Sequence, residues 1–386
     1  MKIIKDIIVI GGGIIGKCVC MFLSKSGNSI ACFDDNKFSG SNTNAGSLHV
    51  QLQSRIFRMN PHLVNNMLNN LEFYIDSVDA WVQLSEMLED DIDLKINGGI
   101  MIAESESQLA FLYEKIKKEK EYKLKIEIIN EKVIRKEFPF FSNKVIGGAF
   151  CEKEGKVNNL IANKQIKNYC SKNGIEFINE NVKNIKYRNN QFELRIKNNN
   201  DIYLSNYLII AAGSGSGELA KMLNIEIPTK MEPLQMNVTE KVEQFLPYLV
   251  QHAEKSLTLK QISTGNIIIG GGWQAKIEDS ENVNIIKDNF VGNLKVASEI
   301  VPCISEINLL RSWGGINTII DGMSVIGNHE SNDKLFFSIP GDAGYTLGPL
   351  VAKITADLIL KNEINYDIKK LSPMRFLNSF DEMKLN

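Results

Sequence analysis

Hydrophobic positions near the amino terminus predict a strand, a helix and a second strand in close succession. Ile7–Ile10 form a continuous apolar run, which is typical of a strand buried on both faces. The predicted helix continues from Lys17 to Ser26 and ends where Gly27 and Asn28 interrupt the pattern. Ser29–Phe33 then return to an extended pattern, so the segment is predicted to be a strand-helix-strand unit.

Helical and extended patterns alternate along the rest of the chain. Helices are predicted at residues 61–88, 105–121, 159–173 and 346–361. Strands are predicted at 98–103, 145–150, 175–178, 182–187, 191–197, 202–204, 207–211, 234–239, 257–261, 266–270 and 335–339. The strands between about 230 and 320 favour a separate antiparallel sheet, after which the chain returns to the first unit. Both domains are therefore expected to be discontinuous.

Glycines mark the turn between the first strand and its helix. Gly11 permits a tight turn, Gly13 lets backbone N–H groups approach a pyrophosphate, and Gly16 lets the helix pack close to the strand. Ile14 and Ile15 begin the helix, whose positive end favours a diphosphate. The spacing predicts a dinucleotide site.

The second strand ends at Asp34, which is followed by Asp35. A carboxylate at this point accepts hydrogen bonds from both ribose hydroxyls of an adenosine and disfavours a 2′-phosphate. One alternative is a structural unit of the same shape without a ligand. Another is a signal or membrane segment at 7–23, against which four glycines, Lys17 and the missing basic flank argue.

Composition excludes several classes of function. The 386 residues carry 44 Lys and Arg against 46 Asp and Glu, so a nucleic-acid partner is not expected. Six cysteines form no paired motif, which favours reduced thiols in the cytoplasm. Four dispersed histidines predict no metal site, and no transmembrane segment is expected.

Five blocks in order resemble the flavoproteins of the D-amino-acid oxidase, glycine oxidase and sarcosine oxidase type, over nearly the whole chain. The blocks are Gly11–Gly16 with Asp34, Asn44–Gly46, Gly155–Asn158, Ala211–Gly213, and Trp313–Gly315 through Asp321-Gly322 and Ile326-Gly327 to Gly341–Pro349. The segments at 44–49, 256–258 and 270–273 look most similar to the branch of opine and hydroxyproline dehydrogenases.

The resemblance implies an α/β fold with a Rossmann-like FAD-binding domain and a discontinuous antiparallel-sheet substrate domain. Residues 1–60, 145–225 and 325–386 are assigned to the FAD-binding domain, and 61–144 and 226–324 to the substrate domain. Besides the glycine turn, Asp34 and Asp35, the residues expected to contact FAD are Ser41, Asn42, Ala45, Gly46, Ser47, Val182, Ala212, Gly213, Gly341, Asp342, Gly344, Tyr345, Thr346 and Leu347. The positive end of the last helix is expected to face the flavin ring.

The activity that the resemblance implies is oxidation of a carbon–nitrogen bond in a small amino acid or amine, by hydride transfer to flavin N5 and hydrolysis of the resulting imine. Family members hold the substrate carboxylate with an arginine, but this chain has Asn317 and Asp342 at the two expected positions. Arg55, Arg58 and Arg311 are candidate replacements, and His49 and Tyr345 are candidate substrate contacts. Each of these side chains has an alternative structural role in ion pairing or packing.

The electron acceptor is a separate question. Sarcosine oxidase-like members hold a lysine over the flavin where this chain has Ile268, and its absence favours a dehydrogenase that reduces a quinone or a partner subunit. The expected location is the cytoplasm, peripheral to the membrane if a quinone is the acceptor. Three alternatives stay open: an oxygen-using oxidase, a subunit of a heteromeric complex that is silent alone, and a flavin-binding protein without catalysis.

Overall fold

Two large sheets organise the computed structural model, which describes residues 1–35, 37, 39–198, 201–278 and 282–377. The helices are α1 (Ile14–Leu23), α2 (Gly40–Thr43), α3 (Ser54–Met59), α4 (Val64–Asn69), α5 (Leu71–Met87), α6 (Glu106–Glu121), α7 (Glu131–Glu137), α8 (Asn159–Lys172), α9 (Ser216–Lys221), α10 (Lys287–Ile300) and α11 (Gly344–Leu360).

The strands are β1 (Lys2–Ile10), β2 (Ile30–Phe33), β3 (Ser47–Leu48), β4 (Gly99–Ala103), β5 (Ile126–Asn130), β6 (Gly147–Cys151), β7 (Gly155–Lys156), β8 (Glu176–Ile178), β9 (Val182–Arg188), β10 (Gln191–Ile196), β11 (Ile202–Ile210), β12 (Lys230–Lys241), β13 (Leu249–His252), β14 (Thr258–Gln261), β15 (Asn266–Gly270), β16 (Lys276–Ile277), β17 (Val283–Asn284), β18 (Leu309–Ile319), β19 (Val325–His329) and β20 (Asn332–Ile339).

The first sheet has the order β19-β20-β11-β1-β2-β8, with β10 and β9 attached beside β11. Its central pairs are parallel, and β1 lies between β11 and β2. Ile7 and Val9 enter one hydrophobic cluster while Ile8 and Ile10 enter another, because successive strand residues face opposite sides of a sheet. Both faces are therefore covered, which explains the uninterrupted apolar run at this strand.

The second sheet has the order β18-β12-β15-β14-β13-β4-β6-β5. Its pairs are antiparallel, as predicted, except that β4 and β13 are parallel. The two parallel strands come from chain segments on either side of a long excursion through the first sheet. The predicted α/β class with a Rossmann-like unit and a discontinuous second domain is confirmed.

The structure differs from the predicted elements in several places. The predicted helix at 61–88 is divided, with α4 ending at Asn69 and α5 beginning at Leu71, and elements such as α10 and β18 were not predicted. The predicted strands at 202–204 and 207–211 form one strand, β11, because its ladder with β1 extends from Lys2↔Ile202 to Ile10↔Ile210. Strand β6 belongs to the second sheet, although its residues fall in the segment 145–225 that was assigned to the FAD-binding domain. The remaining domain boundaries stay a prediction.

The first helix bears on the alternative of a membrane segment. α1 has ten residues and packs between the first sheet and α11. Among the described residues, no helix combines the length and the apolar character that crossing a bilayer requires.

Candidate functional site

A cavity of about 660 Å³ extends from the glycine turn after β1 to the turn before α11. It also reaches β12, β14 and β18 of the second sheet. Sequence-predicted residues that line it are His49, Arg55, Gly11, Gly13, Ile14, Ile15, Asp34, Asp35, Ser41, Ala45, Ser47, Val182, Ala212, Gly213, Asp342, Gly344, Tyr345 and Thr346. The structure thus brings most of the predicted residues together around one space.

Five of the residues predicted to contact FAD do not line this cavity, namely Gly16, Asn42, Gly46, Gly341 and Leu347. For three of these residues, the structure shows a structural role in place of a contact with the cavity. A Cβ on Gly16 would collide with the carbonyl of Gly11, so this glycine lets α1 approach β1. Gly46 has a φ of +74°, and a Cβ there would collide with the carbonyl of Val157. Leu347, in the first turn of α11, is buried in the core.

The amino end of α1 has no side-chain cap of its own, because Gly13 occupies the N-cap position. The backbone N–H of Ile14 instead donates to the hydroxyl of Ser41 over 2.8 Å. A Cβ on the neighbouring Gly12 would meet the carboxylate of Asp34. The glycine turn, the helix terminus and the acid at the end of β2 therefore lie together, as the sequence predicts.

Helix α8 holds the polar loop at 39–47 in place. The amide of Asn159 donates to the carbonyls of Ser41 and Asn42 over 3.2 Å, and the amide of Asn163 donates to the carbonyl of Ser41 over 3.0 Å. These two asparagines are buried, so their hydrogen bonds fix the loop backbone that faces the cavity.

Lys260 lies beneath the same loop and donates to the carbonyl of Ala45. Burial, together with the nearby charge of Lys156, holds the pKa of Lys260 well below its usual value. Lys260 is also the ladder partner of Ile268, so the two side chains point to the same face of the sheet. Lys260 does not line the cavity, however, so the expectation that rests on Ile268 stays a prediction.

The turn before α11 is shaped by Ala343, whose φ of +56° is left-handed. The hydroxyl of Tyr74 donates to the carbonyl of Asp342 over 3.0 Å. Tyr345 follows in the first turn of α11, but its hydroxyl donates to the carbonyl of Asn159 and its ring stacks on Trp81. These interior contacts favour the packing role for Tyr345, although the residue also lines the cavity, and its contact with a substrate stays a prediction.

Arg55 lies in an acidic corner of the cavity. Its Nη2 is 3.2 Å from Oδ1 of Asp342, its Nη1 is 3.4 Å from Oε1 of Glu232, and its Nε donates to Gln53 over 2.7 Å. The amide of Asn317 donates to Oε2 of Glu232 over 2.9 Å and to Asp342 over 3.4 Å. Burial lowers the pKa of Arg55, but Asp342 and Glu232 more than offset this and raise it.

This corner is where the resemblance places arginines that hold a carboxylate. Asn317 and Asp342 occupy those positions, and the guanidinium of Arg55 arrives between them from α3. The structure therefore brings the two departing residues together with an arginine from a different element, and the role of this corner in holding a carboxylate stays a prediction.

The two other candidate arginines lie elsewhere. Arg311 is exposed on the edge strand β18 and stacks over the ring of Trp313 at 5.2 Å, outside the cavity lining. Arg58 is exposed near the end of α3 and does not line the cavity either. Neither side chain reaches the space that the other candidates share, so we do not propose a substrate contact for either of them.

His49 lines the cavity with its side chain 11% exposed. Its backbone N–H donates to Thr346 over 3.1 Å, and its Nδ1 is 3.8 Å from Oε1 of the fully buried Glu154. Nδ1 is itself buried and has no hydrogen-bond partner among the described residues. His49 is thus fixed at the boundary between the cavity and a buried carboxylate.

Sequence reasoning missed Glu232, Glu154 and Lys260. Glu232 faces Asn317 across the β12–β18 ladder, and Glu154 follows β6 in a segment without a chemical motif. In the sequence, each of them is only a charged residue in a strand or turn. Such a residue does not reveal which side chain it contacts or whether it lies near the cavity.

Known proteins match this chain nearly from end to end. An opine oxidase subunit from Rhizobium meliloti is 26% identical over 387 residues, covering 96% of this chain and 97% of that protein. A glycine oxidase from Bacillus subtilis is 23% identical and covers 95% and 96%. A glycerol 3-phosphate oxidase from Mycoplasma genitalium is 22% identical and covers 94% and 97%.

The fold has a counterpart among solved structures. The glycine oxidase of Geobacillus kaustophilus superimposes with a TM-score of 0.84 at 18% identity, covering 96% of this chain and 99% of that one. The family described as FAD dependent oxidoreductase matches residues 6–358, nearly the whole described chain. This match confirms the resemblance read from the five sequence blocks, and the chain belongs to this family of FAD-dependent oxidoreductases.

Proposed function

We propose that this protein oxidises a carbon–nitrogen bond in a small amino acid or an N-substituted amino acid, such as a D-amino acid, an opine, sarcosine or a hydroxyproline-like compound. The observation that carries the proposal is the position of Arg55, in the corner of the cavity where the resemblance places the grip on a substrate carboxylate.

The residues at the other end of the cavity fit FAD. Three consecutive glycines leave the turn after β1 free of side chains, and any Cβ on Gly12 would displace Asp34. Asp34 would hold the adenosine ribose, the start of α1 would face the diphosphate, and the loop at 41–47 with the turn before α11 would enclose the flavin ring. Bound FAD would supply the two-electron acceptor, taking a hydride at its N5 atom.

Arg55 retains the capacity to bind a carboxylate. A guanidinium has five N–H groups, and the three contacts to Gln53, Glu232 and Asp342 leave one on each terminal nitrogen. Two such N–H groups match the two oxygens of a carboxylate. The existing contacts orient the guanidinium, whose side chain is only 13% exposed.

The charges around Arg55 favour a zwitterion over a phosphate. One guanidinium faces two carboxylates, Asp342 and Glu232, so the corner has a net negative charge. An amino acid can place its carboxylate on Arg55 and its ammonium near the two acids. A phosphate monoester has no cationic group to offset repulsion from these acids, which favours amino-acid substrates over glycerol 3-phosphate.

A second candidate is a partner-dependent subunit of a heteromeric dehydrogenase that is silent alone. Support comes from the relative named as an opine oxidase subunit, which matches nearly end to end. Such a chain keeps the FAD cradle and the Arg55 corner but requires a further subunit before a substrate reduces the flavin.

The experiment is anaerobic mixing of the FAD-loaded protein with D-amino acids, sarcosine, hydroxyprolines, opines and glycerol 3-phosphate, one at a time. Loss of the oxidised flavin band with an amino-acid compound supports the proposal and names the substrate class. Readmitting air then separates an oxidase, whose colour returns at once, from a dehydrogenase. Reduction by glycerol 3-phosphate alone contradicts the proposal, and reduction that requires an added subunit identifies the second candidate.

A further inference from the structure

The buried carboxylate of Glu154 lies next to His49, on the side of the imidazole ring that faces away from the cavity. Glu154 immediately precedes β7, and the antiparallel β3–β7 pair matches Ser47 with Lys156 and Leu48 with Gly155. Continuing this register by one residue places His49 beside Glu154, which explains why Nδ1 and Oε1 are 3.8 Å apart. The contact is therefore a consequence of strand register.

Neutral donors satisfy Glu154, and within the described residues no lysine or arginine forms an ion pair with it. Its carboxylate accepts from the backbone N–H of Val50 over 2.9 Å, from Gln51 over 2.8 Å and from Gln251 over 3.3 Å. The neighbouring Lys115 is already paired with Glu119, and Gln51 links that pair to Glu154. An ionised carboxylate in this interior exerts a strong field on the imidazole, since the local dielectric is low.

That field selects one tautomer of His49. If Nδ1 carried a lone pair, two acceptors would face each other in a buried space, which is unfavourable. A proton on Nδ1 replaces this repulsion with attraction between the N–H dipole and the carboxylate. Nδ1 is the buried nitrogen, so the Nε2 side of the ring is the side that the cavity reaches.

We propose that Glu154 is a positioning residue that holds His49 as the Nδ1–H tautomer, so that Nε2 accepts a proton from the substrate's ammonium group. The proposal rests on the proposed function, in which an amine must lose this proton before its carbon–nitrogen bond is oxidised. In the step, the substrate N–H bond breaks, the Nε2–H bond forms, and the electron pair of the broken bond stays on the amine nitrogen. The imidazolium then has Glu154 as its counter-charge.

The first test is the tautomer, read by nitrogen-15 NMR of the FAD-loaded protein. The chain has four histidines, so the variant His49→Asn identifies the His49 signals. His252 is an internal reference of the opposite tautomer, because its Nδ1 accepts the N–H groups of Glu254 and Lys255 over 2.9 Å. We expect the Nδ1–H pattern for His49 and its loss in Glu154→Gln, with His252 unchanged. An Nε2–H pattern in the unmodified protein overturns the proposal, as does an unchanged pattern in Glu154→Gln.

The second test is the rate of anaerobic flavin reduction as a function of pH. We expect His49→Asn to slow reduction about 100-fold near neutral pH, in line with the usual contribution of a general base. Glu154→Gln is expected to slow it about 10-fold, since His49 remains but its tautomer is no longer fixed. Both deficits should shrink at high pH, where the substrate amine is already neutral.

The matched control is Glu152→Gln, which removes an exposed carboxylate two residues away and should leave both readouts unchanged. Deficits that stay constant at all pH values would indicate a merely structural role and overturn the proposal. If no amine reduces the flavin of the unmodified protein, the proposed function fails and the base role fails with it. The NMR result would still decide whether Glu154 sets the tautomer.

Discussion

The Nη2 atom of Arg55 lies 3.2 Å from Oδ1 of Asp342, although 287 positions separate the two residues along the chain. Asp342 stands where the family resemblance predicts an arginine, so the charge at this position is reversed, and the guanidinium beside it belongs to Arg55 of α3. The contact joins the first turn of α3 to the turn before α11, and residues of both segments line the cavity.

Replacing Arg55 by lysine tests its role in holding the substrate. Lysine keeps the positive charge that Asp342 and Glu232 require, but it loses the planar pair of N–H groups. We expect the KM for a carboxylate substrate to rise about 10- to 100-fold, the range that follows from losing a charged hydrogen bond. Steady-state kinetics on the substrate that reduces the flavin provides the measurement.

The control for this change is Arg311→Lys, because Arg311 is exposed and stacks on Trp313 outside the cavity. Its KM should equal that of the unmodified protein. Equal KM values for both variants would show that Arg55 is only an ion-pair residue.

A methyl group at Gly12 is expected to weaken FAD binding. Its Cβ would lie against the carboxylate of Asp34, which must then move away from the position that suits a ribose. Gly215→Ala is the matched control, since this glycine also lines the cavity and its added Cβ finds no neighbour closer than 3.9 Å. Flavin fluorescence titration should show weaker binding for Gly12→Ala and unchanged binding for Gly215→Ala. Equal affinities would place the ribose elsewhere.

Breaking the buried ion pair between Lys115 and Glu119 is expected to lower the stability of the fold strongly. Both side chains are fully buried, and their atoms are 2.7 Å apart. Glu119→Gln keeps an acceptor for the backbone N–H of Leu52 but leaves Lys115 without its counter-charge, so the free energy of unfolding should fall by about 3 to 5 kcal/mol. Adding Lys115→Met should restore much of this loss, as measured by denaturant unfolding with FAD absent. If the stability losses of the two single variants simply added up in the double variant, the two side chains would not be coupled, which would contradict this prediction.

Glu104 should make part of the stability depend on pH. The hydrogen bond from His252, with further help from Lys255, lowers the pKa of Glu104 from 4.5 to about 2. Because the folded pKa lies below the unfolded one, this contribution is present above the unfolded value and is lost as the pH falls towards the folded value. Glu104→Gln should therefore cost about 1 kcal/mol near neutral pH.

The difference between Glu104→Gln and the unmodified protein should shrink as the pH is lowered from about 5 to about 3. Thermal unfolding at each pH provides the measurement. A difference that stays constant over this range would show that the charge of Glu104 does not contribute.

Local features of the cofactor end could be predicted from the sequence. Gly11, Gly13 and Asp34 lie within one short segment, so their spacing alone fixes their relation to α1 and β1. The sequence predicts two strands in place of β11 because Ser205 and Asn206 interrupt the apolar pattern. In the structure, the parallel ladder with β1 continues across these two residues.

Contacts of the substrate end depend on long-range register, which the sequence does not reveal. Lys260 lies beside Ile268 only because β14 and β15 pair as they do, and Glu154 meets His49 only through the β3–β7 pair. The sequence around Ile268 therefore gives no sign of a neighbouring lysine. Only the register of the sheet shows that Lys260 lies beside it on the adjacent strand.

The most direct test of the central claim is anaerobic titration of the FAD-loaded protein with an opine or N-methyl amino acid and, separately, with glycerol 3-phosphate. The charge arrangement around Arg55 predicts that the flavin band disappears with the amino-acid compound and persists with the phosphate. The opposite result, bleaching by glycerol 3-phosphate and none by any amino-acid compound, would contradict the assignment of carbon–nitrogen oxidation to this site.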